Sequence, residues 1–452
     1  MRSPSPLALV ALLAASFVMM VAPGCGSTDG SEFGNGNGDD GGVPQFGDGG
    51  FSDDGPCIGL ACQVASCPGG GSTTISGTVY APTKVNPDPL YNAIVYVPNA
   101  PLDPFPNGVS CDKCGTLTSG KPITTTITGP DGKFTLKNVP VGTNIPLVVQ
   151  IGRWRRQVTI PMVAQCADTP LPAELTRLPR NKMEGEIPKH AVSTGDADAL
   201  ECVLRKMGVD DAEFTNGRGN GRIHLYEQNG ATMAGIAPAS DLWGNVPTLS
   251  TYDIVILDCE GAQNDKARAS QQNIIDYTSV GGRVFASHYS YVWLYNDPPF
   301  SGTASWVPNS ARPQDPLTGI IDTTFPKGQA FDAWLGVVHA LSAPGQIAIH
   351  VPRHDAVSVV TPAQRWIYSA APASLQHYTF NTPVGVPDDK QCGRVVFSDF
   401  HVTGANGNSG GKPFPSECDN GPLSPQEKVL EFMLFDLASC IQKDTTPPAP
   451  PR

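Results

Sequence analysis

Two short stretches put reactive side chains at the ends of apolar runs. Ser287-His288-Tyr289 closes the run Arg283-Val-Phe-Ala, and Asp399-Phe400-His401 closes Arg394-Val-Val-Phe-Ser. Imidazole and carboxylate together suit zinc or a harder transition metal. Alternation along a strand turns Asp399 and His401 to one face, so His288, His401 and Asp399 form a candidate metal set. The same stretches offer a hydrolytic set, Ser287 as nucleophile with His401 and Asp399. Ser287 lacks, however, the Gly-x-Ser-x-Gly frame that forces a serine out of a strand. Ser193, Thr194 and Asp196, with Tyr289, could hold a polar ligand at the same edge. The plainer alternative is that all of these satisfy backbone groups at strand ends. No cofactor is expected.

Other candidates are weaker. His350 and His354 are four apart, but Pro352 between them breaks the one helix that would align them. The glycine run 216–221 lacks the Lys-Ser/Thr ending of a phosphate loop, which leaves a turn. Arg153-Trp154-Arg155-Arg156 could meet phosphate or glycan, although strand alternation favours a solvated hairpin with one aromatic packed. Cys111-Asp-Lys-Cys114 has no second CxxC at metal-site spacing.

The elements that must carry these residues are legible. An apolar run at 252–258 reads as a buried strand. A helix over 264–278, Gly281-Gly282 and a strand at 283–287 follow, giving a right-handed βαβ unit. A first strand at 186–192 leads into a helix from 193–196 to about 207. A last strand at 393–401 is followed by a glycine-rich loop, 403–412. Ser424-Pro-Gln-Glu427 then opens a deeply packed helix to about 440, with the residues of a capping box. Residues 295–326 form a long Pro/Gly/Ser-rich insertion with Trp306 as its anchor. Strand-like pieces lie at 346–351, 357–360, 365–368 and 376–381. Ligands in open α/β sheets bind beyond the carboxyl ends of the strands, where His288 and His401 fall. The repeats are too few for a (β/α)₈ barrel.

This order, with Gly-Gly, strand, small residue and His at 281–288 and a late strand ending on His401, resembles the class I glutamine-amidotransferase-like fold, in particular its ThuA-like branch. The resemblance implies a flavodoxin-like, mostly parallel sheet over 181–441. It also implies a nucleophilic Cys on a strained elbow after the strand at 283–287, with a later His followed by Glu. Here the elbow holds Ser287 or His288, and Val402-Thr403 follow His401. Glutaminase chemistry is therefore not expected.

Residues 73–178 have a different texture. Short β-branched runs at 74–80, 93–97, 123–127, 133–136, 146–150 and 155–160 are separated by turn signals, which describes a small antiparallel sandwich. Pro130-Asp131-Gly132 is one such turn. The stretch 129–142, with Gly77-Thr-Val79 and Asn92-Ala-Ile-Val-Tyr-Val97, resembles the carboxypeptidase regulatory-like (transthyretin-like) domain. That implies an accessory β-sandwich without an active site. Residues 171–180 read as a linker.

Residues 1–24 have the charge, apolar run and small-residue end of a signal peptide. Gly24-Cys25 resembles a bacterial lipobox, although Ala22 and Pro23 depart from its usual residues. It implies acylation of Cys25, a lipid anchor and, with Gly26 next, the outer membrane. The alternative is an ordinary secreted protein with Cys25 in a disulfide. Residues 25–72 are a Gly/Asp-rich tether with too little apolar surface to order itself, and 442–452 a Pro-rich tail. Eleven further cysteines in an oxidising compartment mean disulfides, with one thiol left over. Cys392 with Cys418 or Cys440, and Cys202 with Cys259, are the pairings considered. The net charge of −12 excludes a nucleic-acid binder. The expected function is non-catalytic binding, of carbohydrate or another envelope component, with the membrane as partner. The rival is a hydrolase or metal-dependent sugar-modifying enzyme.

Overall fold

A computed structural model describes residues 57–115, 117–402 and 408–451. The signal peptide, Cys25, most of the tether and the first half of the 403–412 loop lie outside the described residues. Of the tether, residues 57–72 are described. Two short 3₁₀ turns there are held by Cys57–Cys62 and Cys67–Cys166.

The β-branched runs of the N-terminal region form two sheets. One orders Lys133–Lys137, Thr74–Thr78 and Asp168–Pro170; the other orders Pro122–Ile127, Ile94–Pro98, Gly142–Ile151 and Trp154–Val163. The Pro-Asp-Gly turn is present, with Gly132 at φ 69°. The linker at 171–180 is packed rather than free. Arg177 is buried there and pairs with Glu174 and Glu184 at 2.5 and 2.7 Å.

The larger sheet is mixed. Its spatial order runs Ala237–Pro238, Ile223–Glu227, His190–Ser193, Ile254–Leu257, Arg283–Ser287 and Gly393–Ser398, all parallel. It continues antiparallel through Ala373–Thr382, Gln364–Ala370, Leu317–Ile321 and Gln346–Ile349. Three strands of the antiparallel half come from pieces that read only as isolated strands. The insertion 295–326 is not loop throughout. It supplies Ala304–Trp306 and Leu317–Ile321, and Trp306 packs against Tyr291, Tyr378 and Phe397.

Helix Pro425–Ala438 has the expected capping box. Ser424 Oγ accepts from Glu427 N, and Glu427 accepts from Ser424 N. Its apolar residues exceed one face because it is covered from two sides: Phe435 meets Trp154 of the N-terminal region, and Phe432 meets Trp366 of the large sheet. One hydrophobic cluster therefore runs from Ile75 through Val192 to Met433, and the described residues from Cys57 onward form one compact unit.

The disulfides reinforce this. Cys111–Cys392, Cys114–Cys440 and Cys202–Cys418 span separations of 281, 326 and 216 residues. The pairings of Cys392 with Cys418 or Cys440, and of Cys202 with Cys259, are thus corrected. The CxxC thiols part company, each closing on a different late element. Cys259 is the free thiol among the described residues.

Candidate functional site

Three parallel strands, His190–Ser193, Ile254–Leu257 and Arg283–Ser287, end beside one another, and the reactive groups gather just past their carboxyl ends. His288 follows the last of them at φ 32°. A bulky side chain in that left-handed region is strained, and such strain persists where the surroundings over-determine it. The elbow is therefore real, and it presents an imidazole. Cys259, two residues past the neighbouring strand, lies with its Sγ 3.4 Å from His288 Nδ1. Gly195 makes room for that backbone: a Cβ there would stand 2.3 Å from the Cys259 carbonyl oxygen.

Each imidazole is oriented by a carboxylate. His288 Nε2 donates to Asp355 Oδ2 at 3.2 Å, and His401 Nδ1 donates to Asp198 Oδ1 at 2.9 Å. The two rings are 4.6 Å apart, centroid to centroid. Donation at one nitrogen leaves the other with its lone pair free. Donor atoms of Cys259, His288 and His401 all lie within 4.8 Å of one another. All three residues are buried, at 0, 1 and 6% exposure. Burial pushes His288 down to about 4, so its ring is neutral. Burial also pushes the Cys259 thiol well up, helped by the charge of Asp198.

The insertion and the Asp399 carboxylate fix Asp355. Asn309 N donates to Asp355 Oδ1 at 2.6 Å, and Asp355 N donates to Asp399 Oδ2 at 2.7 Å. Asp399 thus groups with His288 and Asp355 rather than with His401. The Gly393–Ser398 strand ends before it, so strand alternation does not reach Asp399 and His401. Burial, then the neighbouring Asp355, pushes the Asp399 carboxyl well above the usual range. Ser287 is not presented to the crevice as a nucleophile: its Oγ accepts from Cys259 N at 2.9 Å.

The proposed ligand-binding residues are largely occupied. Ser193 is buried at its strand end. Thr194 Oγ1 donates to the Ala231 carbonyl at 3.0 Å. Asp196 accepts from Gly410 N and Asn408 Nδ2 at 2.8 and 3.0 Å. Tyr289 is half-buried, with its ring 4.0 Å from that of His288. Sequence reasoning missed Cys259, Asp198 and Asp355. Cys259 could have been found, since it lies just past a strand adjacent to the His288 strand. Asp355 had no local signal.

Single carboxyl oxygens near the cluster, Asp198 Oδ2 and Asp399 Oδ1, lack hydrogen-bond partners among the described residues, while Glu201 and Asp258 share a hydrogen bond with each other. Unpaired buried acceptors of this kind are costly.

No protein-family model and no curated protein matches the chain. Solved structures that it resembles loosely include a putative ThuA-like protein from Bacteroides uniformis. That likeness has a TM-score of 0.28 at 11% identity and covers 54% of this chain and 89% of that one. A cytoplasmic protein from Salmonella typhimurium gives 0.27 at 10%, covering 48% and 88%. A type II cohesin–X-dockerin complex from Acetivibrio cellulolyticus gives 0.17 at 16%, covering 30% and 85%. Likenesses this slight carry no functional weight.

Proposed function

We propose that the chain is an exported metal-binding protein, held at the cell envelope through acylated Cys25. In this reading Cys259 Sγ, His288 Nδ1 and His401 Nε2 hold one transition-metal ion. The carrying observation is that two carboxylates, Asp355 and Asp198, bind the outer nitrogens of the two rings. Metal-ligating histidines almost always donate their second N–H in this way, which fixes the tautomer and raises ligand basicity. A thiolate and two imidazoles suit zinc, and the 3.4 Å between Cys259 Sγ and His288 Nδ1 matches tetrahedral bonds of about 2.0–2.3 Å, with His401 closing in to complete the set. A bound cation would reverse the upward pressure on the Cys259 thiol, because a coordinating thiol is deprotonated outright. The depth of all three donors supports a binding role ahead of turnover. The finer architecture that goes with this reading is a transthyretin-like sandwich followed by a flavodoxin-like domain of the amidotransferase or ThuA-like kind.

The test is metal analysis of the full-length protein after zinc loading and dialysis. One ion per chain is expected, lost in Cys259→Ser, His288→Ala and His401→Ala. A chain that retains no metal, or a Cys259→Ser protein that retains it in full, refutes the centre. The anchor is tested separately: a Cys25→Ala protein that still partitions with membranes overturns it.

One observation favours a second reading, hydrolysis through a thiol. Cys259, His288 and Asp355 line up as thiol, imidazole and carboxylate at 3.4 and 3.2 Å, the relay that activates a cysteine nucleophile. Rapid alkylation of metal-free Cys259, abolished in Asp355→Asn, would support it. A thiol inert to alkylation removes it.

A further inference from the structure

At the opposite end of the same strands lies a cleft of about 660 Å³. Its floor comes from residues that immediately precede strands. Lys189 stands before His190–Ser193, Arg222 before Ile223–Glu227, and Asp253 near the start of Ile254–Leu257. The glycine run contributes Gly219 and Gly221 to one wall, and Phe105 and Pro106 form another.

The charges of this cleft do not cancel. Its two acids are already committed. Glu186 takes both Nε and Nη2 of Arg155 at 2.6 Å, and Asp253 takes Arg153 Nη1 at 2.5 Å. Arg153 also holds Asp112 at 3.0 Å. The basic cluster 153–156 is thus largely spent on internal pairs and does not point to a ligand. The cations facing it are another matter. Lys189 is half-buried, with its ammonium 4.6 Å from the centre of the Tyr252 ring and no ion pair among the described residues. Arg222 donates Nε to the Ile187 carbonyl at 2.6 Å, and the carboxylate it meets, that of Asp253, is 3.9 Å away. Lys182 is exposed and rests on the Asn220 carbonyl. His224 adds a polar group of a different kind. It is 2% exposed, with Nδ1 on the Tyr252 hydroxyl at 2.8 Å and its ring held against the Gly219 and Gly221 backbone.

We propose that this cleft binds a sugar-sized organic anion bearing phosphate or carboxylate. Lys189 and Arg222 pair with the charged group. The size argument is direct. Clefts of about 300–1,000 Å³ hold small organic ligands, whereas a lone inorganic anion would leave most of this volume to water. The flat apolar wall of Phe105 and Pro106 suits a carbon framework. Surplus positive charge on a chain of net charge −12 is a local device, and it concentrates anions at this one face. The inference stands apart from the metal centre, which lies at the other end of the strands.

The test is calorimetric titration of full-length protein with glucose 6-phosphate, glucuronate, glucose and inorganic phosphate. At least one charged sugar should bind with a Kd below about 1 mM, and more weakly as salt is raised. Glucose should not bind. The better of the two charged sugars identifies phosphate or carboxylate as the preferred group. Lys189→Gln/Arg222→Gln should weaken binding at least about tenfold, with an unchanged circular dichroism spectrum. Lys182→Gln, at an exposed position, keeps the test open if that double variant fails to fold, and should weaken binding about threefold at low salt. Failure of both charged sugars to bind at about 10 mM overturns the proposal, as does unchanged affinity in every folded variant. Inorganic phosphate binding as tightly as glucose 6-phosphate overturns the assignment of a sugar-sized ligand.

Discussion

Replacing Asp444 by Asn tests whether the C-terminal segment is part of the core. Asp444 is 7% exposed. It meets Arg394 Nη2 at 2.7 and 2.9 Å, Lys327 Nζ at 3.3 Å and the Thr379 hydroxyl at 2.7 Å. Asp436 completes the set, at 2.7 Å from Lys327 and 2.9 Å from Arg394. Two buried cations therefore balance two buried anions. Asp444→Asn keeps the shape and removes one charge, leaving an uncompensated buried cation. Breaking a buried pair in this way costs about 3–5 kcal/mol, whereas removing both partners costs far less. Asp444→Asn should lower the free energy of urea unfolding by about 3–5 kcal/mol, with the disulfides intact. Lys327→Met/Asp444→Asn should recover at least about 1 kcal/mol of the summed single losses, as a coupling energy. The same group sets an acid limit. Burial pushes Asp444 up, but Arg394 and Lys327 together pull harder and hold it below its ordinary value. A depressed carboxyl contributes stability that is present above its unfolded pKa of about 3.9 and is lost as pH falls through the folded value. The acid-unfolding limb of the wild type should therefore be shallower in Asp444→Asn. A loss under about 1 kcal/mol, or strict additivity in the double variant, would refute a closed buried network.

Further outcomes follow from single sites. Asp198→Asn removes the carboxylate behind His401 and should weaken zinc binding about 10–100-fold, read by competition with a chelator. Ser424→Ala removes the acceptor for Glu427 N and should cost about 1 kcal/mol by urea denaturation. Burial pushes Glu417 up to about 7, so its contribution is complete below the unfolded value of about 4.3 and is lost as pH rises through 7. Glu417→Gln should flatten the fall in stability of the metal-free protein between about pH 4.5 and 7; an unchanged slope removes Glu417 as its source. The Cys202→Ser/Cys418→Ser protein should lose about 2–5 kcal/mol in thermal or urea unfolding under non-reducing conditions.

Legibility in the sequence followed the range of the physics involved. The capping box at Ser424 and the strand 283–287 are local patterns, readable from a few neighbours. Trp306 stood out as the one tryptophan in the insertion 295–326, and it packs as expected. Cys259 was passed over because an apparent disulfide partner, Cys202, was at hand. Only the fold shows Cys202 turned to Cys418 and Cys259 turned to His288. Asp355 and Asp198 are ordinary loop acids until tertiary structure brings them behind imidazoles. The antiparallel half of the large sheet was unreadable for a related reason. Three of its strands read as isolated pieces with nothing local to say how they pair, and the fourth, Leu317–Ile321, lies inside the insertion read as loop. Asp444 sits in a Pro-rich segment whose composition says linker, and its burial depends wholly on cations from distant elements.

The tetrapeptide 111–114 has a consequence for biogenesis. Its two thiols wait for partners 281 and 326 residues away. A chain crossing a membrane from its N-terminus presents Cys57, Cys62, Cys67, Cys111 and Cys114 to oxidants long before Cys392 or Cys440 emerges. Pairing in order of emergence gives Cys57–Cys62 correctly but would misjoin Cys67, Cys111 and Cys114. Under the export proposed above, any such premature disulfide would have to be attacked by a thiolate and exchanged before the first region could be fastened to the last helix.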